Sequence, residues 1–179
     1  PRAADSLRHP AETPSRAASN FFWLGRYLER AAALARRFEK LDAMLHDEIA
    51  LLDPAVPRDT LALLAAMQDL PAPTEGQGLD QLATLARSAA NDPARPASLA
   101  ANVNNLVRLL ETLKVRLPHE AWSMVRHLRQ RRNAGDTAAC AWLRQHLTAL
   151  EALTLETIPH DTGWRFLQLG RRIERARQL

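Results

Sequence analysis

Cysteine is almost missing from this chain: its 179 residues include one, Cys140. A lone thiol excludes an internal disulfide and fits a reducing compartment, so Cys140 reads as a small apolar residue. No run of roughly 18 apolar residues is present to cross a bilayer, and no charged start followed by an apolar block marks a secretory signal. No stretch alternates apolar and polar residues with β-branched enrichment, which leaves no strand to read. Excess charge is small as well. The 24 Lys and Arg, nearly all Arg, against 20 Asp and Glu give a net charge of +4, too little to imply nucleic acid unless it gathers on one face.

What remains is helical periodicity in a length suited to one core, and the reading is an all-α, irregular helical bundle of about six or seven helices in the cytoplasm. Residues 1–17 mix Pro, Ala, Ser and charge without period and read as a flexible linker, followed by one domain over 18–179. From a cap at Ser19 or Asn20, apolar residues recur at Leu24, Leu28, Ala31, Leu34, Ala35, Phe38, Leu41 and Leu45, a helix of more than six turns. Pro54 and Pro57 break it, and Asp59 or Thr60 caps a helix running to Pro71. Further helices are expected over 79–90 and about 97–116, with Pro96 in the first turn of the latter. Pro118 opens another that ends near Gly135, Thr137 starts one reaching Thr157, and Asp161 or Thr162 caps the last. Pro1 is not Met, and Gln178-Leu179 follows an amphipathic turn without a stop signal, so both ends read as cut from a longer polypeptide.

One feature exceeds what a bundle requires. LGRYLERA at 24–31 returns as LGRRIERA at 169–176, with six of eight positions identical. At about 100° per residue, Glu29 falls roughly opposite the first helix's apolar stripe, with Arg26 and Arg30 beside it; Arg171, Glu174 and Arg175 repeat that phase. A solvated face accepts almost any charge, and an exposed Glu-Arg pair at this spacing contributes only about 0.2–0.5 kcal/mol. It gives no reason to write the same residues twice. Gly25 and Gly170 add to the argument, because each mid-helix Gly costs about 0.8–1.0 kcal/mol relative to Ala, and the pair therefore implies a close backbone approach. The expectation is two helices packed near each other with Glu29 facing Arg175 and Glu174 facing Arg30. Structural pairing and binding of an anionic ligand, with Arg26 and Arg171 as spare donors, both stay open. Trp23 and Trp164, one ahead of each motif, are core anchors or walls of the same cleft.

SRAASNFFWLGRYLERAAALAR (15–36) and ETIPHDTGWRFLQLGRRIERA (156–176) resemble the two motifs of the alpha-E family, bacterial all-helical proteins named for a Glu-Arg signature. RPASLAANV (95–103) and VRLPHEAW (115–122) are similar to its connecting helices, whereas Arg108-Leu109-Leu110-Glu111 departs from the Glu-Asn-x-Arg-like stretch expected there. The resemblance covers about 14–179 and implies a domain truncated at its C-terminus. It also implies a context: an ATP-grasp ligase domain as partner, fused N-terminally or encoded beside it, with a transglutaminase-like protein in the same clusters, in the making or processing of peptides or amides.

Other chemistry lacks its signature. His119-Glu120 begins like a zinc-protease helix, but position 123 is Ser; Glu-x-x-His occurs nowhere; His46-Asp47-Glu48 diverges around its helix. No metal or cofactor is expected. Gly76-Gln77-Gly78 lacks the preceding strand and the Lys-Ser/Thr of a phosphate loop and reads as a turn. The basic run HLRQRRN (127–133) has no interleaved aromatics and sits at a helix C-terminus that favours cations anyway. Three readings follow. The first is an accessory, non-catalytic domain binding the ligase or an anionic substrate through Arg26, Glu29, Arg30, Arg171, Glu174 and Arg175, with Trp23 and Trp164. The second is an enzyme using Glu29 or Glu174 as general base. The third is nucleic-acid binding through Arg129, Arg131 and Arg132.

Overall fold

A computed structural model describes residues 15–46, 53, 55–68, 72–131 and 137–178, and among them are seven α-helices and no strand. The architecture follows from one element. Helix α1 (Ser15–Leu45) buries five consecutive residues, Ala31 to Ala35. Five successive positions 100° apart visit every side of a helix, so α1 has neighbours all around it and forms the axis of the bundle. Small Ala side chains on several of those faces let the neighbours come close.

The rest surrounds this axis: α2 (Ala55–Gln68), α3 (Leu79–Asn91), α4 (Leu99–Thr112), α5 (His119–Arg131), α6 (Thr137–Thr157) and α7 (Thr162–Ala176). All but α5 pack on α1, and α7 does so most extensively. Phe21, Leu24, Leu28, Leu34 and Leu41 of α1 meet Leu61, Leu82, Leu106, Leu110, Leu128, Leu147, Leu150 and Leu167 in one continuous core. Each such fully buried side chain contributes about 1.5–3 kcal/mol.

Local capping explains the boundaries. Asp161 Oδ1 accepts from Trp164 N at 3.1 Å and starts α7 at the expected place. Ser98 starts α4, accepting from Ala101 N at 3.0 Å while donating to the Asp92 carbonyl at 2.6 Å. Asn102 Nδ2 donates to the carbonyls of Ser98 and Pro96, at 2.6 and 3.2 Å, and ties down the turn between α3 and α4. Pro96 therefore lies in that turn, ahead of the cap, and not in the first turn of the helix. Residues Lys114–Arg116 form a separate 3-10 turn after α4.

Two other boundaries move. Asp53 Oδ1 accepts from Ala55 N at 3.0 Å, so α2 begins before Pro57 rather than at Asp59 or Thr60; Pro57 sits in its first turn, where a missing N–H removes no helical bond. At the start of the chain, Ser15–Ala17 are already the first turn of α1 and not linker. The remainder of that linker, 1–14, and the expected helix end at Asn133–Gly135 lie outside the described residues. Gly76, with φ of 81°, makes the interhelical turn ahead of α3. No helix among the described residues is long and apolar enough to cross a membrane.

Candidate functional site

Helices α1 and α7 touch at their glycines. A Cβ added to Gly25 would stand 2.1 Å from the Leu167 carbonyl oxygen, and one added to Gly170 would stand 2.0 Å from the Phe22 carbonyl oxygen. Both obstacles are backbone, so neither side chain could be accommodated by a rotamer change. This is the approach for which mid-helix glycine is required. Leu167 precedes Gly170 by three residues, as Phe22 precedes Gly25, so adding 145 to one contact produces the other with the helices exchanged.

The charged residues obey the same rule one turn further on. Arg30 donates from Nε and Nη2 to the two carboxylate oxygens of Glu174 at 2.6 and 2.7 Å, and Arg175 donates from Nε and Nη2 to those of Glu29 at 3.1 and 2.9 Å. Arg26 Nη2 lies 2.8 Å from Glu174, and its counterpart Arg171 has Nε 3.5 Å from Glu29. The contacts advance in the same sense along both helices, so α1 and α7 run in the same direction, related by a local two-fold like that of a symmetric dimer interface. The reciprocal pairing expected from the sequence is the one observed. Forked guanidinium-carboxylate bonds of this kind fix orientation as well as contributing energy.

The two halves differ in what covers them. Around Glu174, Arg26 lies 5.2 Å from the Trp23 ring and 5.9 Å from Phe22, and Arg30 lies 5.6 Å from Tyr27. Cations over ring faces are attracted by the quadrupole, and the rings also exclude water. At the 145-shifted positions α7 carries Gln168 and Arg172 instead of Trp23 and Tyr27, so no such cover forms around Glu29. There Arg171 turns to Glu151 of α6, donating from Nη2 to Oε1. Both carboxylates are buried, with side-chain exposures of 8% for Glu29 and 4% for Glu174, but Arg175 is 60% exposed where Arg30 is 19%. Burial pushes the Glu174 carboxyl upward, yet the hydrogen bonds and charges of Arg30 and Arg26 outweigh it and hold the group below the usual carboxylate range. Hydrogen bonding and attraction from Glu29 raise the Arg175 guanidinium further above its already high value.

Arg26 and Arg171 are thus not spare donors: each is committed to a carboxylate inside the clasp. Trp23 lies against Arg26, whereas Trp164 packs against the core and, 4.3 Å away, against His160. The sequence reading missed Glu151. Its helix gave one signal, since Glu151 directly follows Leu150 in the stripe Leu143, Leu147, Leu150 that faces the core. It also missed an open groove of about 630 Å³ running from Glu29, Glu151 and Arg175 along α1 past Ala33, Arg36, Arg37 and Lys40. That groove continues the Glu29 phase of α1 and could have been found by extending it about three turns.

Elsewhere, Arg129 of the basic run lies 3.5 Å from Glu111, while Arg132 and the side chain of Arg131 lie outside the described residues. No three metal-ligating side chains converge among the described residues.

A family model described as "a predicted alpha-helical domain with a conserved ER motif", Alpha-E, matches residues 13–179. The chain is 26% identical over 193 aligned residues to Uncharacterized protein Rv2567 of Mycobacterium tuberculosis, covering 93% of this chain and 21% of the relative. The same identity and coverage hold for Uncharacterized protein Mb2597 of Mycobacterium bovis. The chain spans about a fifth of the length of the curated relatives it matches. No solved structure matches it.

Proposed function

The chain belongs to the Alpha-E family, and from that premise we propose that it is a non-catalytic helical module of an ATP-grasp-type peptide or amide ligase system in the cytoplasm. It binds the ligase domain, or an anionic substrate of that ligase, beside its Glu-Arg clasp. The ligase context rests on the resemblance of the two motifs, and the transglutaminase-like protein is a second partner on the same ground. That the relatives carry this region as about a fifth of a longer chain supports reading it as one module of a larger assembly.

One observation carries the non-catalytic part. Each motif carboxylate is held by a two-pronged guanidinium, and Glu174 by a second Arg as well. A general base needs a free lone pair and a pKa near the working pH; Glu174 is held the other way, below the usual carboxylate range.

A second reading has one observation in its favour, because Glu29 lines the groove and its partner Arg175 is exposed. Release of Arg175 would free a carboxylate beside a cavity, as a base requires. The test is ATP-dependent amide formation by the cognate ATP-grasp protein, measured alone, with this domain, and with the folded variant Glu29→Gln. Ligation that needs the domain but tolerates Glu29→Gln fits the module. Equal ligation with and without the domain overturns it, and turnover by the domain alone that vanishes in Glu29→Gln establishes the enzyme.

A further inference from the structure

Every carboxylate of the clasp is paired, but the cations further along the groove beside it are not. Glu29 is occupied by Arg175, and Glu151 by Arg171. Further along α1, Arg36, Arg37 and Lys40 line the same groove, and none of them has an ion-pair partner among the described residues; the neighbouring Glu39 is taken by Arg144 at 2.5 Å. Arg36 and Lys40 are one turn apart, a like-charge spacing that destabilises a helix. Arg37 is half-buried, and its Nη1 is shut off from solvent without a hydrogen bond. A guanidinium placed in this way has lost hydration without gaining a counter-charge.

We propose that this groove is a binding site for a phosphate-bearing small molecule, with Arg36, Arg37 and Lys40 as its anion-binding residues and the outward edge of Arg175 at its far end. Two guanidinium forks and one ammonium suit the several oxygens and double charge of a phosphate better than the single charge of a carboxylate. The groove wall has no aromatic ring, so it offers no stacking platform for a base, and recognition is confined to the anion. Beyond Ala33 it has no apolar lining residue to hold a hydrophobic side chain. The inference stands on the groove's own residues and holds whether or not the domain serves a ligase.

The probe is pyrophosphate, titrated calorimetrically against the domain at low and at moderate salt, with citrate as the carboxylate competitor. Wild type is expected to bind one equivalent, more weakly as salt rises. Arg37→Gln and the double variant Arg36→Gln/Lys40→Gln are each expected to weaken it by about tenfold or more, the usual loss for a charge-assisted contact. Arg108→Gln, an exposed cation on α4, leaves binding unchanged. Circular dichroism melts establish that each variant folds. Weakening by Arg108→Gln equal to that of the groove variants would mean diffuse attraction and overturn the site, as would absence of pyrophosphate binding to wild type. Tighter binding of citrate than of pyrophosphate would overturn the assignment to phosphate.

Discussion

The Glu174 and Glu29 halves of the clasp carry the same residues at the same offsets, yet one is closed and the other open. Around Glu174, Trp23 and Tyr27 lie over the two arginines and keep water from them. Around Glu29, the corresponding ring positions are polar, the outer arginine is mostly exposed, and a groove begins. Repetition of a motif therefore does not imply repetition of a role. The closed half holds two helices together, and the open half performs the same task with one face left open.

The contact shared by both halves is the place where the account breaks most readily. Gly25→Ala and Gly170→Ala each drive a Cβ to about 2 Å from a carbonyl oxygen, which forces α1 and α7 apart and opens both pairs. Overpacking costs about 1–3 kcal/mol and breaking a buried pair about 3–5 kcal/mol. Urea unfolding is expected to show a loss upwards of about 4 kcal/mol, nearly equal for the two variants, because the contact is reciprocal. A large difference between them would break the local two-fold.

Removing each carboxylate in turn separates the halves. Glu174→Ala leaves Arg26 and Arg30 facing each other under the rings and is expected to cost about 3–5 kcal/mol. Glu29→Ala leaves Arg175 free to reach solvent and Arg171 still on Glu151, so about 1–3 kcal/mol is expected. The arginines repeat the order. Arg175→Ala removes an exposed group but leaves the buried Glu29 without its two-pronged partner, so about 1–3 kcal/mol is expected, less than for Arg30→Ala in the same unfolding assay.

The smallest effect is on pH dependence. Because Glu174 is held below its ordinary value of 4.5, its contribution is fully present above that pH and is lost as the pH falls through the depressed folded value. Stability measured from about pH 5 down to about pH 3 should therefore fall less steeply in Glu174→Gln than in wild type. An unchanged acid slope would mean that Glu174 is not held low by its arginines.

Much of this arrangement can be read from the residues, for identifiable reasons. Asp161 starts its helix where expected because an N-cap acts locally. The paired glycines and the doubled Glu-Arg turn pointed to the crossing because each is costly or pointless unless two backbones meet. Four things were not legible. Ser15–Ala17 look like linker, but α1 has neighbours on all sides and runs on beyond its own local signal. The two halves look equal until Trp23 and Tyr27 are set over their arginines, a tertiary fact. Glu151 joins the clasp from a third helix whose orientation no periodicity fixes. Arg36, Arg37 and Lys40 share the Glu29 face of α1, but that no carboxylate among the described residues pairs with them belongs to the packing of α6 and α7.

The most direct test of the central claim is a pair of double-mutant cycles by equilibrium unfolding, one across Arg30 and Glu174 and the other across Arg175 and Glu29. Favourable coupling is expected in both, about 2–3 kcal/mol for the closed pair and about 1 kcal/mol for the open one. Coupling indistinguishable from zero in both cycles, or larger across Arg175 and Glu29, would contradict that claim.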